Sequence, residues 1–127
     1  MMQFSYDTTY FPPAPSLEIK LAIPEESFEI GPLTALVDTG ADVTIVPIEH
    51  IEPLKIQVDN RKFLRSHWGE RRTVDIYLLD VGLGNIRLPL VEIIADELGN
   101  EIIIGRNVLN KLIATLNGPA QSMEIAD

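Results

Sequence analysis

Leu36-Val37-Asp38-Thr39-Gly40-Ala41-Asp42 is the stretch on which the reading of this chain turns. An apolar strand runs into an acid, and the acid into a turn that needs a glycine. Burial beside a strand makes a lone carboxylate costly to ionise. An Asp in that position commonly serves the turn through an Asx-type hydrogen bond, and Asp-Thr-Gly by itself occurs by chance. A second apolar-to-Gly stretch, Ile102-Ile103-Ile104-Gly105-Arg106-Asn107-Val108, gives it weight. Laid over Val37 to Val43, it sets Gly105 on Gly40, Asn107 on Asp42 and Val108 on Val43. Each copy enters a Gly turn from an apolar strand and leaves through a residue able to cap the next element.

Around these two stretches the chain reads as many short strands. Leu17, Ile19, Leu21 and Ile23 alternate with Glu18, Lys20 and Ala22, the period of a half-buried strand, which Pro24 ends. Leu33 to Val37, Val43 to Val46 and Lys55 to Val58 are further strands by their branched residues and their Pro, Gly or Asp boundaries. Arg72 to Val81 and Ile86 to Ala95 form a hairpin about Gly82 and Gly84. Glu101 to Ile104 is a short strand, Arg106 to Lys111 one or two turns of helix, and Ile113 to Leu116 with Met123 to Ile125 a last hairpin. The pattern predicts a mainly β, barrel-like domain with no βαβ unit. Residues 1–16 carry Phe4, Tyr6, Tyr10 and Phe11 ahead of Pro12, Pro13 and Pro15. They read as an extended arm outside any helix or sheet, lying on the domain or on a partner subunit, or fraying. The domain proper is residues 17–127.

Composition narrows the chemistry. At 127 residues the chain is one domain with room for a core. It has no Cys, which excludes a disulfide framework, a thiolate zinc site and a cysteine nucleophile. A formal charge of -9 argues against duplex nucleic acid as the partner, because phosphate binding draws on Lys and Arg. No apolar run is long enough to cross a bilayer, and the opening residues lack the basic start of a secretory signal, so no membrane partner and a cytoplasmic location are expected. His50 lies between Glu49 and Glu52, but one His with two acids is a weak metal set, and an exposed polar segment before Pro53 accounts for it. Neither a metal nor another cofactor is expected.

Taken together, the two motifs make the chain resemble the retroviral-type, retropepsin-like single-domain aspartic peptidases. Asp38-Thr39-Gly40-Ala41-Asp42 is similar to the family's active-site motif. Ile103-Ile104-Gly105-Arg106-Asn107 followed by Leu109 is similar to its second signature, and Thr115-Leu116-Asn117 to its closing strand. The resemblance runs from about Leu17 to Ile125. It implies a closed acid-protease barrel with a flap hairpin and one short helix near the C-terminus. It also implies hydrolysis of a peptide or protein substrate by two carboxylates sharing a site; that dyad is itself the standard illustration of like charges pushing two pKa values apart. The chain holds one Asp-Thr-Gly, since Asp7-Thr8-Thr9 lacks the glycine. A homodimer must therefore supply the second Asp38.

The resemblance also assigns roles. Asp38 from each subunit forms the dyad, Thr39 bonds across the two-fold axis, and Gly40 lets the substrate backbone approach. Ala41 is small by need, and Asp42 lies near the substrate main chain, paired with a partly buried Arg106 of the supporting Gly105-Arg106-Asn107 turn. Phe63 to Thr73 occupies the flap's place, with Ser66-His67-Trp68-Gly69 as its tip. There Trp68, the only Trp, grips a substrate side chain or packs on the barrel, and His67 is a solvated turn residue. Five of the ten Lys and Arg residues fall between Arg61 and Arg72, against the single acid Glu70. That run is a solvated hairpin face, or a basic flap that steers acidic substrates or docks on the acidic body. The rival function is a non-catalytic dimerisation or peptide-binding module of the same fold.

Overall fold

The computed structural model describes residues 1–65 and 69–127. Its elements in chain order are β1 (Met2–Ser5), β2 (Ser16–Ala22), β3 (Ile30–Val37), β4 (Thr44–Pro47), α1 (Ile48–Ile51), a 3-10 turn (Glu52–Leu54), β5 (Asn60–Arg65), β6 (Arg71–Leu83), β7 (Ile86–Asp96), β8 (Ile103–Ile104), α2 (Arg106–Leu109), β9 (Ile113–Asn117) and β10 (Ser122–Ala126). A seven-stranded sheet runs β2-β3-β8-β4-β7-β6-β5, and β2 also pairs with β6. A separate three-stranded sheet runs β1-β10-β9. The protein is mainly β, and no helix among the described residues is long and apolar enough to cross a membrane.

Alternation explains the core. In β2 the side chains of Leu17, Ile19 and Leu21 are buried while Glu18 and Lys20 are exposed, as a strand with one wet face requires. They pack with Leu79 and Val81 of β6, Ile93 of β7, Ile104 of β8 and Met123 and Ile125 of β10 into one main cluster. Val74, Ile76 and Ile94 form a smaller second cluster, against which Val43 and Ile45 also pack. The two apolar-to-Gly stretches come together as parallel neighbours, with Leu36 opposite Ile103 and Val37 opposite Ile104. This pairing places the Asp38 turn beside the Gly105 turn.

Three expectations need correction. Lys55 to Val58 is not a strand. Lys55 closes the 3-10 turn in the left-handed region at φ 53°, donating its N–H to the Glu52 carbonyl, and Ile56 and Val58 pack on the core from a connecting segment. Alternating burial needs only an extended chain, whereas a strand needs a free edge, and the edge of β6 is taken by β5. Residues 1–16 do not all stay outside the sheet. The prolines begin at Pro12, so Met2 to Ser5 keep their N–H groups and pair with Ser122 to Ile125. Finally, one helix near the C-terminus undercounts the helices: α1 follows β4 directly, and it leaves His50 half-buried rather than on an exposed segment.

Candidate active site

β3 ends at Val37, and the next N–H, that of Asp38, donates to the Ile104 carbonyl at 3.0 Å. The chain then turns back, with the Ala41 N–H donating to the Asp38 carbonyl at 3.2 Å and the Gly40 N–H to Asp38 Oδ1 at 2.9 Å. The carboxylate is therefore oriented by its own loop. Asp38, Thr39 and Gly40 are all exposed in the single chain. This departs from the low-dielectric setting expected of Asp38, because the turn lies at the surface of its own chain.

The second motif supports this loop from behind. The Arg106 N–H donates to the Ala41 carbonyl at 2.8 Å and the Asn107 N–H to the Asp42 carbonyl at 3.3 Å. Arg106 Nη1 donates to the Thr39 carbonyl at 2.8 Å while Nη2 pairs with Asp42 Oδ1. The expectation of a partly buried Asp42–Arg106 pair is corrected, since the side chains are 81% and 45% exposed. Such a pair adds less than about 1 kcal/mol. Its consequence is geometric: one guanidinium ties two points of the turn. Gly105 is needed for a different reason, because a Cβ there would lie 2.7 Å from the Val43 carbonyl carbon and oxygen, both main-chain atoms that cannot swing aside.

Thr44, which neither motif singles out, holds the two turns together. It is fully buried and accepts the Gly105 N–H at 3.2 Å while donating its hydroxyl to Asn107 Oδ1 at 2.9 Å. Asn107 Oδ1 also accepts the Thr44 N–H at 3.0 Å, and Asn107 Nδ2 donates to the Glu92 carbonyl at 2.8 Å. The only sequence signal is a hydroxyl at the start of an apolar strand. Thr44→Val keeps the shape and leaves the Gly105 N–H without its acceptor. A loss of about 1–3 kcal/mol is expected in denaturant melts, and an unchanged midpoint would show that the network is idle.

The Asp38 loop opens onto a cleft of about 450 Å³, bounded by Gly40 to Val43 and Ile45 on one side and by Lys62, Phe63 and Leu64 of β5 on the other. Ile76 and Ile94, from the second apolar cluster, close its back. Phe63 is 72% exposed there. A larger surface cavity of about 610 Å³ lies between β1 and β2, but hydroxyl groups of the N-terminal segment line much of it, and it holds no part of either motif. The apolar cleft thus adjoins the Asp38 turn through Gly40, Ala41 and Asp42.

β5 and β6 form a hairpin above this cleft, with Phe63 opposite Thr73 and Arg65 opposite Arg71. The expected tip residues Ser66, His67 and Trp68 lie outside the described residues. Gly69 is described, exposed, and in the left-handed region at φ 82°, which favours glycine. Three basic residues of the hairpin meet acids: Arg61 meets Asp75 at 3.0 Å, Lys62 meets Glu92 at 3.0 Å and Arg72 meets Asp96 at 3.7 Å. The basic run thus lies partly against acidic residues of β6 and β7.

Comparison with known proteins agrees with this geometry. No curated protein matches the chain. In fold, the chain is similar to the crystal structure of a retropepsin-like aspartic protease from Rickettsia conorii, with a TM-score of 0.66 at 12% identity over 99% of this chain and 92% of that one. It is also similar to the retroviral protease-like domain of Ddi1 from Leishmania major, with a TM-score of 0.53 at 19% identity over 89% of this chain and 90% of that one. The family described as gag-polyprotein putative aspartyl protease matches residues 27–111, more than half of the chain and both motifs. With the turn, its support and the fold in agreement, the chain belongs to that family and is a retropepsin-like protease domain.

Proposed function

We propose that two copies of this chain make one aspartic endopeptidase, with Asp38 of each copy meeting on a two-fold axis. One observation carries the reading: a lone Asp-Thr-Gly turn, exposed and braced by the second motif, opens onto an apolar cleft under a hairpin. The ring of pairings from β2 through β3, β8, β4, β7 and β6 back to β2 supports reading the sheet as the family's closed barrel.

In this reading the two carboxyls hold one proton between them, because like charges at contact distance do not both ionise. The ionised Asp38 takes a proton from a water whose oxygen attacks the scissile carbonyl carbon. The protonated Asp38 gives its proton to the carbonyl oxygen. Collapse of the tetrahedral diol breaks the C–N bond as the amide nitrogen takes the proton gained from water and a diol hydroxyl returns its proton to the other Asp38, so the dyad is left with the single proton it began with. No covalent intermediate forms. Thr39, its carbonyl held by Arg106, bonds across the axis through its hydroxyl. Ala41 and Asp42 face the substrate main chain, and the arms of the β5–β6 hairpin flank it through Lys62, Phe63 and Leu64.

The test is peptide hydrolysis by the purified protein from about pH 4 to 7, read against protein concentration. Below the dimer dissociation constant the rate rises with the square of concentration, and above it linearly. A rate linear at every dilution, with a monomer in the ultracentrifuge, refutes the shared site. A dimer that binds peptides without cutting them identifies the module reading instead.

A further inference from the structure

Strand β6 turns Val74 and Ile76 toward the cleft side, so Thr73, Asp75 and Tyr77 share its other face. Tyr77 is 9% exposed and packs in the main core, yet its hydroxyl has no hydrogen-bond partner among the described residues. No fully enclosed side-chain oxygen or nitrogen among them lacks a partner, so this hydroxyl opens to the surface. Around it stand Asp75 of the same strand, Glu52 of the 3-10 turn and Glu97, which follows β7. Burial pushes the Tyr77 phenol up and the three carboxylates push it further, so near neutral pH it stays a neutral phenol whose oxygen can accept a hydrogen bond.

The surface around that hydroxyl is short of cations. Asp75 meets Arg61 and Asp96 meets Arg72, but Glu49, Glu52 and Glu97 are exposed and have no ion-pair partner among the described residues. Leu98 stands beside them, 79% exposed, in a turn where Asp96 Oδ1 accepts the Leu98 N–H at 3.0 Å. A cavity of about 190 Å³ bordered by Thr73, Asp75 and Glu97 adjoins Leu98, and so does one of about 430 Å³ bordered by Pro47, Glu49 and Glu97. Carboxylates about an apolar side chain match a long basic side chain, whose methylene stem needs apolar cover and whose ammonium needs anions and a lone pair. Two cavities that share Glu97 and Leu98 suit two such side chains of one segment better than a single small amine.

We propose that this face docks a basic segment of a partner protein. One lysine ammonium is received by the Tyr77 hydroxyl with the Glu52 and Glu97 carboxylates, its stem lying on Leu98, and a second basic side chain sits beyond Leu98 at Glu49. The segment binds on the side of β6 turned away from the cleft, so docking requires neither Asp38 nor a second copy of the chain. Because β6 is also an arm of the hairpin above the cleft, a protein docked here is held beside the Asp38 site.

Fluorescence anisotropy of an end-capped, fluorescein-labelled hexalysine tests the site on the full chain. Glu52→Gln combined with Glu97→Gln should raise its dissociation constant at least about tenfold, and Tyr77→Phe, which keeps the buried ring, about threefold. Glu18→Gln combined with Glu29→Gln removes the same charge from exposed positions elsewhere and should change it less than about twofold. All four glutamates are exposed, so melting should show each fold intact. Equal weakening by the two pairs means diffuse attraction to an acidic surface and overturns the site. A Tyr77→Phe protein that binds like the wild type overturns it as well. Lysine amide competing as tightly as hexalysine would mark a pocket for a small amine and overturn the docking of a segment.

Discussion

Asp38→Asn should lower kcat/KM for peptide hydrolysis by at least about a thousandfold while leaving the dimer intact, because it removes the only group able to accept the water's proton and keeps its shape. The side chain is exposed, so no core contact is lost with it. One of its two oxygens is engaged by the Gly40 N–H, and an Asn oxygen can still accept that bond, which keeps the loop in place. The effect should therefore lie in kcat. Mixing makes the test sharper. In an equimolar mixture of exchanging wild-type and Asp38→Asn chains, about a quarter of the dimers carry two intact acids, and activity per wild-type chain should fall by about half. Two copies acting independently would show no such loss. Hydrolysis that survives Asp38→Asn would exclude the mechanism outright.

The second large effect concerns a residue that does not line the cleft. Asp80, in β6, is 1% exposed and is gripped from several sides. Its Oδ2 accepts the Glu25 N–H at 3.0 Å and Arg87 Nε at 2.8 Å, and its Oδ1 accepts the Leu90 N–H at 2.9 Å. Arg87 lies over the Phe28 ring at 4.4 Å and donates to the Glu26 carbonyl, so this cluster pins the β2–β3 connection to the β6–β7 hairpin. Burial alone would raise the Asp80 pKa, but the Glu25 and Leu90 N–H groups together with Arg87 outweigh it and hold the carboxyl below its ordinary value.

Asp80→Asn turns an amide group toward donors and leaves the Arg87 charge without its counter-ion. A loss of about 3 kcal/mol in a denaturant melt at neutral pH is expected. The sign of the pH dependence comes from linkage. The folded carboxyl titrates below the unfolded one, so between the two values the unfolded chain binds more protons. The stability contributed by Asp80 is complete above the unfolded value of about 4 and is lost as pH falls through the folded one. The gap between wild type and Asp80→Asn should therefore be flat from neutral pH down to about 4 and narrow below it. A gap that is constant throughout the acid range would show that the grip on the carboxylate is not what Asp80 contributes.

Legible in the order of residues alone was whatever lies within a few positions of its own cause. Alternation of Leu17, Ile19 and Leu21 with charged neighbours marked β2, branched residues ahead of a glycine marked β3 and β8, and the likeness of the two Gly turns linked Asp38 to Arg106. Everything that depends on which distant group arrives opposite belongs to the folded chain. Thr44 and Asp80 are a hydroxyl and a carboxylate like any others until Asn107, Gly105, Arg87 and Leu90 come to meet them. Lys55 to Val58 has the alternation of a strand and no edge to join, while Met2 to Ser5 looked like an arm and found the edge of β10. Exposure of the Asp38 turn and of every residue in β9 is likewise a property of the folded surface. Backbone periodicity is local and survives in the sequence, whereas a hydrogen bond, an ion pair or a bare edge exists only between partners that the fold brings together or leaves apart.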